Sequence, residues 1–188
     1  EDALIAQLRA QAYEYLDIHD LDGLTANLRN QLEALNDYRF TDDEWERFYQ
    51  QSIVNVPSDE PNSVIAKARR IHEDYVQVLT RDDGTIKNIR LIDKTNIHRN
   101  KLQVIRQFAI DTGERKNRYD VTILVNGLPL IHIELKRRGK ALREAFNQID
   151  RYQRDSFHAA AGDGLFGYVQ IFIISNGAHT KYYSNTVR

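Results

Sequence analysis

The chain opens on apolar positions at helical spacing, first Leu4, Ile5, Leu8, Tyr15 and Leu16, then Leu24, Leu28, Leu32 and Leu35. Recurrence every three or four residues puts such side chains on one helix face, so two amphipathic helices are expected at the start. Thr41 followed three residues later by Glu44 is the signature of a capping box, and Trp45, Phe48, Tyr49 and Ile53 supply the apolar stripe of a third helix. Pro57 and Pro61 bracket the loop that ends it. A short helical stretch over 66–71 follows, and then the period drops to two. Tyr75, Val76, Val78 and Leu79, an Asp82-Asp83-Gly84 turn and the segment 86–92 read as a β-hairpin. Leu102, Val104 and Phe108 suggest another strand. The segment RYDVTILVNGLPLIHIELKRRG (118–139) reads as a strand, a tight Asn126-Gly127 turn and a second strand. Residues 141–155 are helical in composition, and 168–174 form an apolar run without alternation, as expected of a strand buried on both faces. Tyr182 and Tyr183 fall on a final strand. The pattern predicts one α/β domain, helical over about 1–71, then a mixed sheet with a crossover helix over about 72–188.

Parity within segment 118–139 carries the chemistry. In its second strand Ile131, Ile133 and Leu135 share one face, so His132, Glu134 and Lys136 point the other way. In its first strand Val121, Ile123 and Val125 form the matching apolar face and leave Asp120 with Thr122 and Leu124 opposite. Registering apolar face to apolar face sets Asp120 across from Glu134 or one diagonal step away. That match requires an odd loop or a bulge near Asn126-Gly127-Leu128, because an even, unbulged loop reverses the parity.

Composition narrows the class. With 41% hydrophobic and 28% charged residues the chain is an ordinary folded protein, and 188 residues suffice for a real core. It contains no cysteine, so any metal must be held by oxygen or imidazole. The longest apolar runs fall far short of the roughly 20 residues that span a bilayer, so a soluble protein with no membrane partner is expected, and the absence of cysteine permits a cytoplasmic home. The chain begins at Glu1 rather than Met, which reads as a fragment or a processed start. Residues 1–93 hold 10 Lys+Arg against 19 Asp+Glu, whereas 94–154 hold 14 against 6, so a basic middle faces an anionic partner.

Two carboxylates a cross-strand step apart repel each other, and a hard cation such as Mg²⁺ relieves that repulsion. A lysine beside them adds a point charge. The set Asp120, Glu134 and Lys136 therefore suits phosphodiester hydrolysis, with Asp120 and Glu134 as metal ligands and Lys136 placing water or steadying developing charge. The same spacing also fits a solvated polar face with an incidental ion pair. His132 shares the face, either as a neighbour of the chemistry or as a structural histidine. Gly162-Asp163-Gly164-Leu165-Phe166-Gly167 fits a dinucleotide-loop pattern, but it precedes a strand instead of following one and is rejected.

On these residues the chain resembles the PD-(D/E)xK nucleases, with Asp120 as the first acid and Glu134-Leu135-Lys136 as the second element. More closely it resembles the N-terminal nuclease domain of the restriction (R, or HsdR) subunit of type I restriction-modification enzymes. That likeness extends through QAYEYL, HRNKLQVIRQF (98–108), REAFNQIDRY (143–152) and Ser175-Asn176-Gly177. Tyr119 stands where many relatives have Pro, a change expected to affect the turn into the strand, and Ala12 stands where they often have Gly. Glu1 falls near an acidic position of the first helix and is left outside the catalytic set.

The resemblance implies a restriction-endonuclease-like mixed sheet flanked by helices and an N-terminal helical segment. It also implies a type I site-specific deoxyribonuclease of bacterial or archaeal origin that cleaves double-stranded DNA. It further implies Mg²⁺ as cofactor, and methyltransferase (M) and specificity (S) subunits as partners through the full-length protein. ATP would be used by motor domains outside this chain, which holds no Walker A lysine motif. Gln148 and Tyr152 match the family's Q-x-x-x-Y motif, implied to support DNA contact or active-site organisation. The bland reading of that pair is core packing by Tyr152 and a surface glutamine. Arg138 and Lys140, within a basic run with Arg137, Arg143, Arg151 and Arg154, are candidate DNA contacts, or else a solvated face. A non-catalytic DNA-binding or subunit-docking domain and a repair-type nuclease of the same superfamily are the alternatives.

Overall fold

The computed structural model describes residues 1–57, 64–111, 116–152 and 164–185. Among these residues five α-helices and eight strands run in the order α1 (Asp2–Ala10), β1 (Glu14–Tyr15), α2 (Leu21–Asn36), α3 (Asp42–Phe48), α4 (Val64–His72), β2 (Val76–Thr80), β3 (Ile86–Arg90), β4 (Leu102–Asp111), β5 (Lys116–Val125), β6 (Leu128–Leu135), α5 (Leu142–Tyr152), β7 (Ile171–Ser175) and β8 (Thr180–Ser184). Six strands form one mixed sheet in the order β1-β4-β5-β6-β7-β8, and β2 and β3 pair separately as the expected hairpin. The β4-β5-β6 meander is antiparallel, and α5 carries the chain across to β7, which lies parallel to β6. The mixed sheet with its crossover helix is the one expected from the pattern, and its flanking by helices is the architecture the resemblance implied. No helix among the described residues is long and apolar enough to cross a membrane.

The sheet separates two apolar layers. Ile5 and Leu8 of α1 cover Val104, Val121, Ile123 and Ile133 on one face. On the other, α2 (Leu24, Leu28, Leu32), α3 (Trp45, Phe48) and α5 (Ala145, Ile149, Tyr152) enclose Phe108, Tyr119, Leu124, Phe172 and Ile174. Thr41 caps α3 as expected: its hydroxyl accepts from the Glu44 backbone N–H at 3.1 Å, and the Glu44 carboxylate accepts from the Thr41 N–H at 3.2 Å. The apolar stripe continues through Ile53 in a π-helical turn, Tyr49–Val54.

Two expectations are corrected. The first helix stops at Ala10, and Tyr15 lies in β1, a two-residue strand parallel to β4 that brings part of the helical segment into the sheet. The break falls at Ala12, whose φ of 67° lies in the left-handed region that a Cβ disfavours; a glycine would suit that backbone better. The run over 168–174 is not one strand: Leu165–Tyr168 is a 3₁₀ turn, β7 starts at Ile171, and β7 alternates between buried Phe172 and Ile174 and more exposed neighbours. The helix over 141–155 is observed as Leu142–Tyr152, while 153–155, Arg154 included, lie outside the described residues, as do Pro61, Gly162 and Asp163.

The hairpin loop has two residues, Asn126 and Gly127, with φ of 51° and 84°, the type I′ combination that matches strand twist. Two is even, so parity rests on the bulge. Val125 pairs with Leu128 and Leu124 with Pro129, and then the register shifts so that Ile123 pairs with Ile131. Leu130 is the extra residue, and its carbonyl accepts from Gln170 N–H at 2.8 Å. Beyond the bulge Thr122 faces His132 and Val121 faces Ile133, and the next rung in this register sets Asp120 opposite Glu134.

Two exchanges between glycine and alanine have opposite expected signs. Ala12→Gly relieves a left-handed φ and raises unfolding free energy by up to about 1 kcal/mol. Gly127→Ala places a Cβ 2.6 Å from the Leu28 Cα at φ 84°, so it lowers stability by about 3 kcal/mol or more. Urea unfolding of both variants checks the pair, and equal effects of either sign contradict the assignment.

Candidate active site

β6 ends where it delivers Glu134 and Lys136. Glu134 is fully buried, and Oε1 accepts from Lys136 Nζ at 2.8 Å. Its Oε2 has no hydrogen-bond donor among the described residues; the nearest base, His132 Nε2, stands 3.6 Å away. Asp120 reaches over from β5, where its Oδ2 accepts from the Leu135 backbone N–H at 2.8 Å. A side chain thus takes a main-chain donor at the point where Lys136 N–H turns to the Ser175 carbonyl on β7, at 2.8 Å. The acids and the lysine occupy the seam where the β5–β6 ladder gives way.

Burial is the largest influence on Asp120 and raises its pKa from 3.8 to about 6; the charge of Glu134 pushes the same way, and Glu1 adds to it. The Leu135 N–H and Lys136 oppose the rise without cancelling it. Glu1 thus influences the site electrostatically, with its carboxylate accepting from Gln107 Nε2. Gln107 has φ 53° and interrupts the β4–β5 pairing between Arg106↔Val121 and Phe108↔Tyr119, beside Asp120.

Lys136 is held from two sides. Besides Glu134, its Nζ donates to Gln148 Oε1 at 2.5 Å; Gln148 Nε2 donates to the Tyr152 hydroxyl, which in turn donates to the Arg118 carbonyl of β5 at 2.8 Å. Four-residue spacing on α5 aligns the glutamine and tyrosine. The two readings of this pair merge, because Tyr152 is 1% exposed and packed in the aromatic core while its hydroxyl anchors the chain of bonds to the lysine. Burial, with the nearby negative charge of Glu134, pushes the Tyr152 phenol up to about 12, so it stays a donor.

Beneath these residues lies an aromatic layer. Tyr119 stacks parallel on Phe108 at 6.4 Å and meets Tyr152 edge-on at 4.8 Å and His132 at 5.3 Å. The expectation that Tyr119 shapes a turn into the strand is therefore corrected: it lies inside β5 and packs under the site. His132 is buried, with Nδ1 3.3 Å from the Thr122 hydroxyl. Arg137, Arg138, Lys140 and Arg143 are exposed around the loop into α5. Asn176 was not singled out on chemical grounds, although it bonds the Lys140 carbonyl at 2.8 Å; nothing in local spacing signals a contact between segments 36 residues apart.

The donor set fits a hard cation. Glu134 offers an oxygen without a donor among the described residues, the second acid lies opposite it, and burial together with repulsion from Glu134 raises the pKa of Asp120. Among the described residues no three His, Cys, Asp or Glu side chains converge, so the protein would contribute two carboxylates and leave the remaining positions to water, main chain or substrate. Magnesium is commonly bound in this way.

The whole chain, residues 1–188, matches the family model described as type I restriction enzyme R protein N terminus. The chain belongs to this family. It is 51% identical to the type I restriction enzyme EcoprrI endonuclease subunit of Escherichia coli, over 100% of this chain and 58% of that protein. It is 38% identical to a type I restriction enzyme endonuclease subunit of Staphylococcus saprophyticus, over 98% of this chain and 19% of that protein. The chain thus spans only part of the relatives it matches.

Asp120 gives a test by linkage. Its folded pKa of about 6 exceeds the unfolded value, so the folded state binds the extra proton and loses stability as pH rises from about 4 through 6. Asp120→Asn keeps an acceptor for Leu135 and carries no charge. After allowance for the solvent that reaches this half-buried group, the variant is about 1 kcal/mol more stable than the parent at pH 7.5, without added metal. The difference disappears below pH 4. Unfolding curves at the two pH values check it, and an Asn variant no more stable at pH 7.5 contradicts it.

Proposed function

We propose that this chain is a Mg²⁺-dependent endonuclease domain that hydrolyses phosphodiester bonds of double-stranded DNA. The observation that carries the reading is the half-buried bridge Glu134–Lys136–Gln148, seated beside an Asp120 whose pKa burial and Glu134 have raised. Membership of the restriction R-protein family supports it. Asp120 and Glu134 are the residues that would hold Mg²⁺. The bound ion would supply charge to polarise a phosphate oxygen and to acidify a water. Lys136, fixed by Glu134 and Gln148, presents an ammonium donor to the phosphate or to the attacking water. Gln148 and Tyr152 position that ammonium, and Arg138 and Lys140 steady the DNA backbone.

In the full-length protein we infer a type I site-specific deoxyribonuclease of the bacterial or archaeal cytoplasm. There the methyltransferase and specificity subunits would choose the site, and ATP-driven motor domains outside this chain would move the DNA. The identity to endonuclease subunits over essentially the whole chain supports this assignment.

The full-length protein, assembled with its partner subunits, provides the test. Asp120→Ala, Glu134→Ala and Lys136→Ala each lower plasmid cleavage at least 10³-fold while ATP hydrolysis and DNA binding persist, and calorimetry shows Mg²⁺ or Mn²⁺ binding weakened by the two acid changes. Normal cleavage by Lys136→Ala, together with no metal binding by the parent, identifies a non-catalytic docking or DNA-binding domain instead. Gln148→Ala reduces cleavage about 10- to 100-fold, as expected of a group that orients a reacting residue. An unaltered rate for this variant removes Gln148 from the positioning role.

A further inference from the structure

A groove of about 890 Å³ opens between the loop that follows Lys136 and the turn joining β7 to β8. Arg138 and Lys140 stand on one wall and Ala178, His179 and Lys181 on the other, and no carboxylate lines it. Arg138, Lys140 and Lys181 are exposed, and none makes an ion pair among the described residues. Cations left unpaired along a concave surface focus positive potential outward.

The two walls are fixed relative to each other and to the lysine of the site. Lys136 N–H donates to the Ser175 carbonyl at 2.8 Å, which ties the end of β6 to the start of the turn. One residue on, Asn176 Nδ2 donates to the Lys140 carbonyl at 2.8 Å, while Asn176 Oδ1 accepts from the N–H groups of Ala178 and His179 at 3.1 and 2.8 Å. This asparagine is buried, so one side chain both shapes the turn and staples it to the opposite wall. The groove begins two residues beyond Lys136, and its width is set by hydrogen bonds rather than by loose side chains.

We propose that this groove holds the phosphate backbone of the DNA strand next to the scissile bond, with Arg138 and Lys181 as its principal contacts from opposite walls. The inference rests on the nuclease reading above and adds the path of the strand and the participation of β8. A guanidinium grips a phosphate with two donors and an ammonium acts as a point charge, so the pair neutralises backbone charge without reading bases. That suits a cutting domain whose site is chosen elsewhere.

The test uses the full-length protein assembled with its partner subunits. A benzoyl-phenylalanine probe at Ala178, in an Asp120→Ala background, crosslinks to DNA on illumination, whereas a probe at exposed Val78 on the separate β2–β3 hairpin does not. Lys181→Glu and Arg138→Glu each slow plasmid cleavage about 10-fold or more at moderate salt, with a shallower salt dependence than the parent because fewer phosphates are neutralised, and with ATP hydrolysis by the motor retained. Cleavage at the parental rate in both variants, with no crosslink from position 178, overturns the groove assignment while loss of cleavage in Asp120→Ala leaves the nuclease reading standing. Persistent cleavage in Asp120→Ala overturns both.

Discussion

The register of β5 against β6 is the constraint on which the site depends. With a two-residue loop and no bulge, Asp120 would face Ile133, and Glu134 would meet Tyr119. Leu130 supplies the one-residue shift, and its displaced carbonyl is taken by Gln170 at the approach to β7, so the irregularity leaves no stranded acceptor there. Gly127 fixes the other end, since the turn lies so close to the α2 backbone at Leu28 that a methyl group has no room. The helical segment and the β5–β6 hairpin are therefore coupled by contact at the turn as well as by the apolar layer.

Once the register is set, the chemistry works against stability. A carboxylate buried as completely as Glu134 is costly unless paired, and the structure gives it a single ammonium on one oxygen. Asp120 is half-buried in the field of that charge and is held toward protonation. Such strain persists only where the surroundings over-determine it. The aromatic layer of Phe108, Tyr119, His132, Tyr152 and Phe166 beneath the strands supplies a rigid support, and the Tyr152 hydroxyl joins that support to Lys136 through Gln148.

Much of this was legible in the sequence, because the features concerned are local or periodic. The capping box at Thr41, the Asn126-Gly127 turn, the shared parity of Asp120 and Glu134 and the four-residue step from Gln148 to Tyr152 each lie within a short window. Parity demanded an odd loop or a bulge near the turn, although which of the two, and the register shift at Leu130, belong to three-dimensional packing and not to any residue type. What escaped was non-local. A two-residue strand such as Glu14–Tyr15 has no period to detect, and its neighbours Leu4 and Leu8 extend a helical pattern across the left-handed break at Ala12. Tyr119 joins the same layer as Leu124 and His132 despite its odd number, because the ladder is distorted at Gln107. The apolar run at 168–174 hid a 3₁₀ turn, since hydrophobicity without alternation does not distinguish one buried geometry from another.

The charge asymmetry takes on a different meaning once partners are visible. Many acids of the first 93 residues are consumed internally. Glu33 is held by Arg29 and Arg39, Glu44 by the α3 cap and Tyr38, Asp82 by Arg47, and Asp93 by the Thr95 and Asn96 N–H groups with Arg99. Their negative charge serves the scaffold. The cations around the end of β6 have no such use: Arg138 and Lys140, joined by Lys181 from β8, line a groove without a carboxylate. Proteins tend to pair surface charge where both signs are near, and this cluster, unpaired among the described residues and close to Glu134 and Asp120, is the observation on which the proposed path of the DNA rests. The hydrogen bonds of Asn176 and Ser175 hold the groove in fixed relation to Lys136, so a polyanion bound there, as proposed, would lie beside the lysine.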